Sequence, residues 1–148
     1  METMTEDTVP EPLVRQRVED LAKALTAKDI DRVMSFYAPD LVSFDINPPL
    51  QYTGPENKRR AWLKAFALYS GGFSYEVRDP SVTTQGELAF VHSLNHVTGT
   101  LANGHTTDMW VRWTACLRRI DGAWLIVHDH VSVPVDLEHG KAVTNLTP

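Results

Sequence analysis

The sequence predicts an α+β domain: three helices followed by one long, strongly curved, antiparallel-rich sheet. Two observations carry this. Apolar residues in the first half recur at helical spacing, and after residue 72 the period changes from 3.6 to 2. Three dipeptides, Gln85-Gly86, Asn103-Gly104 and Asp121-Gly122, then divide the second half as hairpin turns would. The chain has 148 residues, 43% of them hydrophobic. That is the size of one domain with its own core. The single domain is expected over 1–148, with a core over about 12–135 and tails at 1–11 and 136–148.

Each element has its own signal. Val14, Val18, Leu21 and Leu25 recur at steps of four, three and four, one stripe of an amphipathic helix. Asp29 can cap a second helix carrying Ile30, Val33, Met34 and Tyr37, with Pro39 as its stop. Leu41 to Ile46 reads as a strand, closed by Asn47-Pro48-Pro49. Gly54-Pro55-Glu56 opens a third helix, since proline is tolerated in the first turn. Trp62, Phe66 and Tyr69 share one side of it, and Gly71-Gly72 is its expected end. Four long strands follow at roughly 73–84, 87–101, 105–120 and 123–135, joined as an antiparallel meander. Strands this long must twist, and they usually bend at bulges.

On the last strand, Trp124, Ile126, His128, His130 and Ser132 alternate with Leu125, Val127, Asp129, Val131 and Val133. A bulge would exchange the two sets. The aliphatic face must be buried under the helices or against a second copy. A bare aliphatic face of that size predicts a homodimer.

Several classes fall away on composition. The single cysteine, Cys116, permits no internal disulfide and no zinc site built on cysteines. No apolar run approaches a membrane span. The acidic, polar first residues do not read as a signal peptide, so the expected compartment is the cytoplasm. The formal charge is −5, and the longest basic run is Lys58-Arg59-Arg60. That argues against nucleic acid, whose binding rests on neutralising phosphates. This run and Arg118-Arg119 read as solvated faces.

Four groups could carry chemistry. Asp45 stands mid-strand between Phe44 and Ile46, beside Pro48-Pro49. A carboxylate walled by apolar residues suits a general acid or base. The plain alternative is an aspartate accepting turn hydrogen bonds. His92 and His96 lie about 13 Å apart along one strand, too far to share a metal ion. His128 and His130, about 6.6 Å apart, can converge on one site. With His92 or Asp45 they would make a metal centre; otherwise they are neutral, hydrogen-bonded histidines. Arg112 stands between Trp110 and Trp113. It either holds a ligand oxyanion or closes an internal ion pair with Asp108, Asp129 or a helix acid. Trp62, Phe66, Tyr69, Phe90 and Trp110 can wall an apolar pocket, which the Tyr37 hydroxyl can reach, or they are core.

The stretch Asp29 to Asp40, the Phe44-Asp45 strand, Pro48-Pro49 and Gly54-Pro55 resemble the nuclear transport factor 2-like (cystatin-like) superfamily, which includes ketosteroid isomerases and SnoaL-like polyketide cyclases. Trp110-x-Arg112-x-Thr114 and the run from Asp121-Gly122 to Pro134 are similar to its SnoaL-like branch of mostly unassigned bacterial proteins. The resemblance implies a cone: one curved sheet wrapped by three helices, a pocket at the wide end, often dimeric. Asp45 falls where ketosteroid isomerases keep the aspartate that shuttles the proton. Their two enolate donors fall at Leu21 and near Thr114-Ala115-Cys116, where neither can donate. Each lost donor forfeits roughly 3 kcal/mol. In cyclases of the superfamily an Asp–His pair does comparable work.

The leading expectation is a cofactor-free, metal-free domain that binds an apolar, carbonyl-containing small molecule. Asp45 and His128 would carry isomerase, cyclase or dehydratase chemistry. Tyr37, Trp62, Phe66, His92, Trp110, Arg112 and His130 would bind the ligand. The alternatives are a non-catalytic ligand-binding or dimerisation module and a metal enzyme using His128 and His130.

Overall fold

The first helix begins on a proline. The structure, a computed structural model, describes residues 9–148, so part of the expected N-terminal tail lies outside the described residues. Helix α1 spans Pro10–Thr26, beginning about one turn before Val14, the first residue of the stripe. Proline costs nothing there, because the first helical N–H groups have no partner anyway. Val14, Val18, Leu21 and Leu25 are buried, joined by Ala22 and Ala24. Thr26 at the end of α1 pins the backbone of Tyr75, donating to its carbonyl at 3.1 Å and accepting its N–H at 3.0 Å.

Helix α2 is a single turn, Ile30–Met34, capped by the Asp29 side chain, which accepts the Arg32 N–H at 3.2 Å. It was expected to reach Tyr37, but Tyr37 already opens strand β1, Tyr37–Phe44. Pro39 does not stop the helix. It sits in β1 where the pairing register shifts, so its missing N–H breaks no regular ladder. Strand β2 is Tyr52–Thr53, and helix α3 spans Pro55–Leu68. The Gly71-Gly72 pair lies inside strand β3, Tyr69–Gln85, at two register shifts, rather than after the helix.

Strands β4 (Leu88–Leu101), β5 (Thr106–Ile120) and β6 (Ala123–Ser132) follow, joined at the three expected turns. At Asp121-Gly122 both residues have positive φ, 49° and 81°, the backbone of the type I′ turn that matches strand twist. The six strands lie in the order β2-β1-β6-β5-β4-β3. All neighbours are antiparallel except β1 and β6, which pair parallel with Ser43 opposite Asp129. The C-terminal residues form a small hairpin, β7 (Val135–Asp136) with β8 (Lys141–Ala142), where a plain extension was expected. No helix among the described residues is long and apolar enough to cross a membrane.

The sheet has a covered and a bare face. Val91, Val97, Val111, Trp113, Ala115 and Leu117 face inward and form one core with the α1 stripe. Each of the valines and Leu117 contributes roughly 1.5–3 kcal/mol when fully buried. Along β6 the faces exchange. Cys116 pairs with His128, but Leu117 pairs with Ile126, which leaves Val127 as a bulge. Trp124 and Ile126 point inward before it, Asp129 and Val133 after it. The aliphatic face is therefore inside, under the helices. It cannot serve as the expected dimer surface.

Candidate functional site

A cavity of about 400 Å³ opens between α3 and the inner face of the sheet. That volume falls in the range of small-molecule sites. Trp62 and Ala65 of α3 form one wall, and Tyr69, Phe73 and Tyr75 of β3 another. Met109 and Val111 of β5 supply apolar floor, with Val131 and Val133. Asp45 is the one charged side chain among the lining residues. Ala142 and Thr144 of the expected tail also line the cavity.

Asp45 does not stand mid-strand. Strand β1 ends at Phe44, and Asp45 opens the loop to β2. Its Oδ1 accepts the Ile46 N–H at 2.7 Å, and its Oδ2 accepts from Lys58 Nζ at 3.0 Å. Lys58, on the first turns of α3, is the centre of a buried charge cluster. Its side chain is 1% exposed, that of Asp129 2% and that of Asp45 18%. The ammonium also meets Asp129 Oδ2 at 3.2 Å and donates to Ser43 Oγ at 3.0 Å. Ser43 in turn donates to Asp129 Oδ1. The rings of Tyr37 and Trp62 lie 5.8 and 5.6 Å from Nζ, within cation–π range. Burial alone would drive the lysine pKa down. The surrounding Asp129, Tyr37 and Asp45 outweigh it and hold the ammonium above its ordinary range. Lys58 is therefore a permanent cation at neutral pH, and it fixes one oxygen of Asp45.

A second polar chain crosses the inner sheet face. Ser93 Oγ donates to Asn95 Oδ1 at 2.7 Å, and Asn95 Nδ2 donates to the Tyr75 hydroxyl at 2.8 Å. Burial pushes Tyr75 up to about 12, so it stays protonated. Tyr37 is raised further by burial, and its hydroxyl accepts the Trp62 Nε1–H at 3.1 Å.

The sequence-predicted residues divide sharply. Asp45 and Trp62 line the cavity. Tyr37 and Phe66 stand behind its wall: Tyr37 holds the Trp62 indole, and Phe66 stacks on Trp62 at 5.8 Å between centroids. His92, Trp110 and Arg112 lie on the opposite, outer face, because strand parity puts Ser93, Val111 and Trp113 inward instead. His128 and His130 were expected near Asp45. The Val127 bulge turns both outward. His128 Nδ1–H donates to the Val42 carbonyl at 2.6 Å, and both imidazoles meet the edge of Phe44. No Asp45–His128 pair forms. His128 and His130 join no group of three possible metal ligands among the described residues. Arg112 closes no ion pair with Asp108, Asp129 or a helix acid among the described residues; its Nε donates to Ser132 Oγ at 3.1 Å.

Three residues of the site escaped the sequence reading. Lys58 was placed on a solvated face with Arg59 and Arg60. Yet 58, 62, 66 and 69 continue one helical stripe, and that spacing marks Lys58 as inward. Asp129 was an acid in an otherwise aliphatic set, the signature of a buried, paired carboxylate. Tyr75 shares strand parity with Phe73.

Known proteins place this architecture. No curated protein sequence matches the chain. An NTF2-like protein of unknown function from Pseudomonas putida KT2440 superposes with a TM-score of 0.85 at 29% identity, covering 99% of this chain and 100% of that one. A ketosteroid isomerase-like protein from Erwinia carotovora atroseptica gives 0.73 at 23% identity, over 84% and 96%. An NTF2-like protein with a cystatin-like fold from Novosphingobium aromaticivorans gives 0.73 at 13%, over 87% and 84%. The family model of the SnoaL-like domain matches residues 14–136. With its helices, curved sheet and inner cavity, the chain belongs to the SnoaL-like domain family.

Proposed function

We propose that the cavity binds an apolar, carbonyl-containing small molecule and that Asp45 exchanges a proton with it. One observation carries this reading: Asp45 is the one charged side chain lining a largely apolar cavity, and it is anchored from behind by Lys58. A fixed base beside an apolar wall suits proton transfer at carbon next to a carbonyl. Isomerisation, cyclisation and dehydration all begin with such a step. The reading calls for no cofactor. His128, expected as the partner of Asp45, has no part in it.

The test uses 2-tetralone, a two-ring ketone with acidic α-protons, incubated with the protein in D2O. Nuclear magnetic resonance follows loss of the α-proton signal. Wild-type protein should accelerate exchange, and Asp45→Asn should lose about 10²- to 10⁴-fold of it. Equal exchange by both would remove Asp45 from the reaction. A binding module is the second reading. It is favoured by Asp45 already holding a hydrogen bond at each oxygen, and it predicts bound tetralone with no accelerated exchange.

We also propose a second copy of the chain as the partner of the outer sheet face. Phe44, Phe90 and Leu94 stand 37–48% exposed there. Arg112 and Asp108 on the same face are complementary across a two-fold axis.

A further inference from the structure

The inner face of β4 should be apolar, and in its middle it is not. Ser93 and Asn95 are buried between Val91 and Val97. Buried polar side chains cost stability unless every group is bonded. Here the bonds run one way. Ser93 donates to Asn95, and Asn95 donates to Tyr75. The chain ends on a tyrosine that lines the cavity and whose own proton meets no acceptor among the described residues. Its ring stands edge-on to Trp62, 6.1 Å between centroids, so it shares the cavity with the wall next to Asp45. Asn95 already donates to its oxygen, which leaves the hydroxyl's own proton to bond a ligand.

We propose that the Tyr75 O–H is the donor that binds the ligand's carbonyl oxygen, with Asn95 and Ser93 as positioning residues. The proposal rests on the reading of Asp45 as the base. In the step, Asp45 takes the α-proton. The C–H electron pair forms a carbon–carbon double bond, and the carbonyl π pair moves onto oxygen. Tyr75 keeps its proton and stabilises the enolate oxygen by hydrogen bonding. Return of a proton from the Asp45 carboxylic acid restores the ketone. A fixed donor aimed at developing charge is the kind of group whose loss lowers rate more than binding. The ligand class is thereby narrowed to apolar ketones or enols that present one oxygen to β3.

The probe is 2-tetralone labelled with 13C at the carbonyl. Infrared difference spectra of the bound probe report the hydrogen bond directly. In the wild type the carbonyl band should lie below its position in an apolar solvent. In Tyr75→Phe it should return toward that position. Affinity should fall about 5- to 10-fold, and exchange about 10²- to 10³-fold. Asn95→Asp supplies a carboxylate that captures the Tyr75 proton, so the band shift should vanish although Tyr75 is present. If that variant fails to fold, Tyr75→Phe, which lacks one oxygen, carries the test alone. A carbonyl band at the same position in wild type and Tyr75→Phe overturns the proposal, whatever Asp45 does. A band shift that depends on Tyr75 without exchange by the wild type supports the donor and removes the base. Tetralone that does not bind the wild type overturns both.

Discussion

Replacing Lys58 by methionine keeps most of the side-chain volume and removes the ammonium. Asp129 then loses its cation at 3.2 Å and keeps Ser43, in a position only 2% exposed. Asp45 loses its cation at 3.0 Å but is 18% exposed and can hydrate. Breaking a buried pair from one side typically costs about 3–5 kcal/mol, since the remaining charge stays buried. In a domain of this size about 1 kcal/mol moves the midpoint by about 2–4 °C, so Tm should fall by about 6–20 °C. Urea unfolding followed by circular dichroism at pH 7 measures the loss. Adding Asp129→Asn to Lys58→Met removes the stranded charge and should restore about 2 kcal/mol or more, a strong departure from additivity. The wild type also has an alkaline limb. The folded-state pKa of Lys58 lies above its ordinary 10.5, so its contribution is complete below pH 10.5 and is lost as pH rises through the folded value. Tyr75, raised from 10.0 to about 12, acts in the same direction. Stability should therefore fall above about pH 10, and less steeply in Lys58→Met. A Lys58→Met variant within about 1 kcal/mol of wild type would refute the claim that the cluster depends on this cation.

Three other outcomes follow from the geometry. At Gly99 an added Cβ would stand 2.5 Å from Tyr69 Cδ1 and 3.3 Å from the Phe73 Cα, so Gly99→Ala should cost about 1–3 kcal/mol and weaken tetralone binding, read by chemical denaturation and tryptophan quenching. Removing residues 141–148 takes Ala142 and Thr144 from the cavity while deleting mostly exposed chain. Tetralone affinity should drop several-fold with stability changed by less than about 1 kcal/mol; unchanged affinity would mean the segment is a bystander. Phe90→Glu on the outer face should convert a dimer to a monomer in sedimentation velocity, and a wild-type monomer at tens of micromolar would dismiss the second copy.

What could be read from the sequence was local. The α1 stripe and the turns at 86, 104 and 122 depend on neighbours within a few residues, and they appear where expected. Parity along β4 and β5 also held, so the division of Trp110 from Trp113 was legible, though not which set faced the helices. The parallel pairing of β1 with β6 joins residues 86 positions apart, and no local pattern encodes it. The ends of α2 and α3 were misplaced because proline and glycine were taken as helix stops. Both instead mark irregular points inside strands. At the site, the apolar wall residue Trp62 and the carboxylate Asp45 were visible, while Lys58 was hidden by its two charged neighbours. Charge runs suggest solvent, yet a helix turns by about 100° per residue, and three consecutive side chains cannot share one environment.

The extra residue at Val127 has a consequence for how relatives should be compared. It acts on β6 as a frameshift acts on a message: everything beyond it is read on the other side of the sheet. A relative that kept this residue but paired it regularly, with no bulge, would point its counterparts of His128 and His130 at the helices and turn its counterpart of Asp129 to solvent. Its centre would then be built from imidazoles instead of a lysine-bound carboxylate. A relative that lost the residue altogether would keep the present arrangement, because its counterparts of Ile126 and His128 would then alternate as neighbours in a regular ladder. Within such a lineage, equivalent chemistry follows the position of the bulge, and residues in the same alignment column need not share a role.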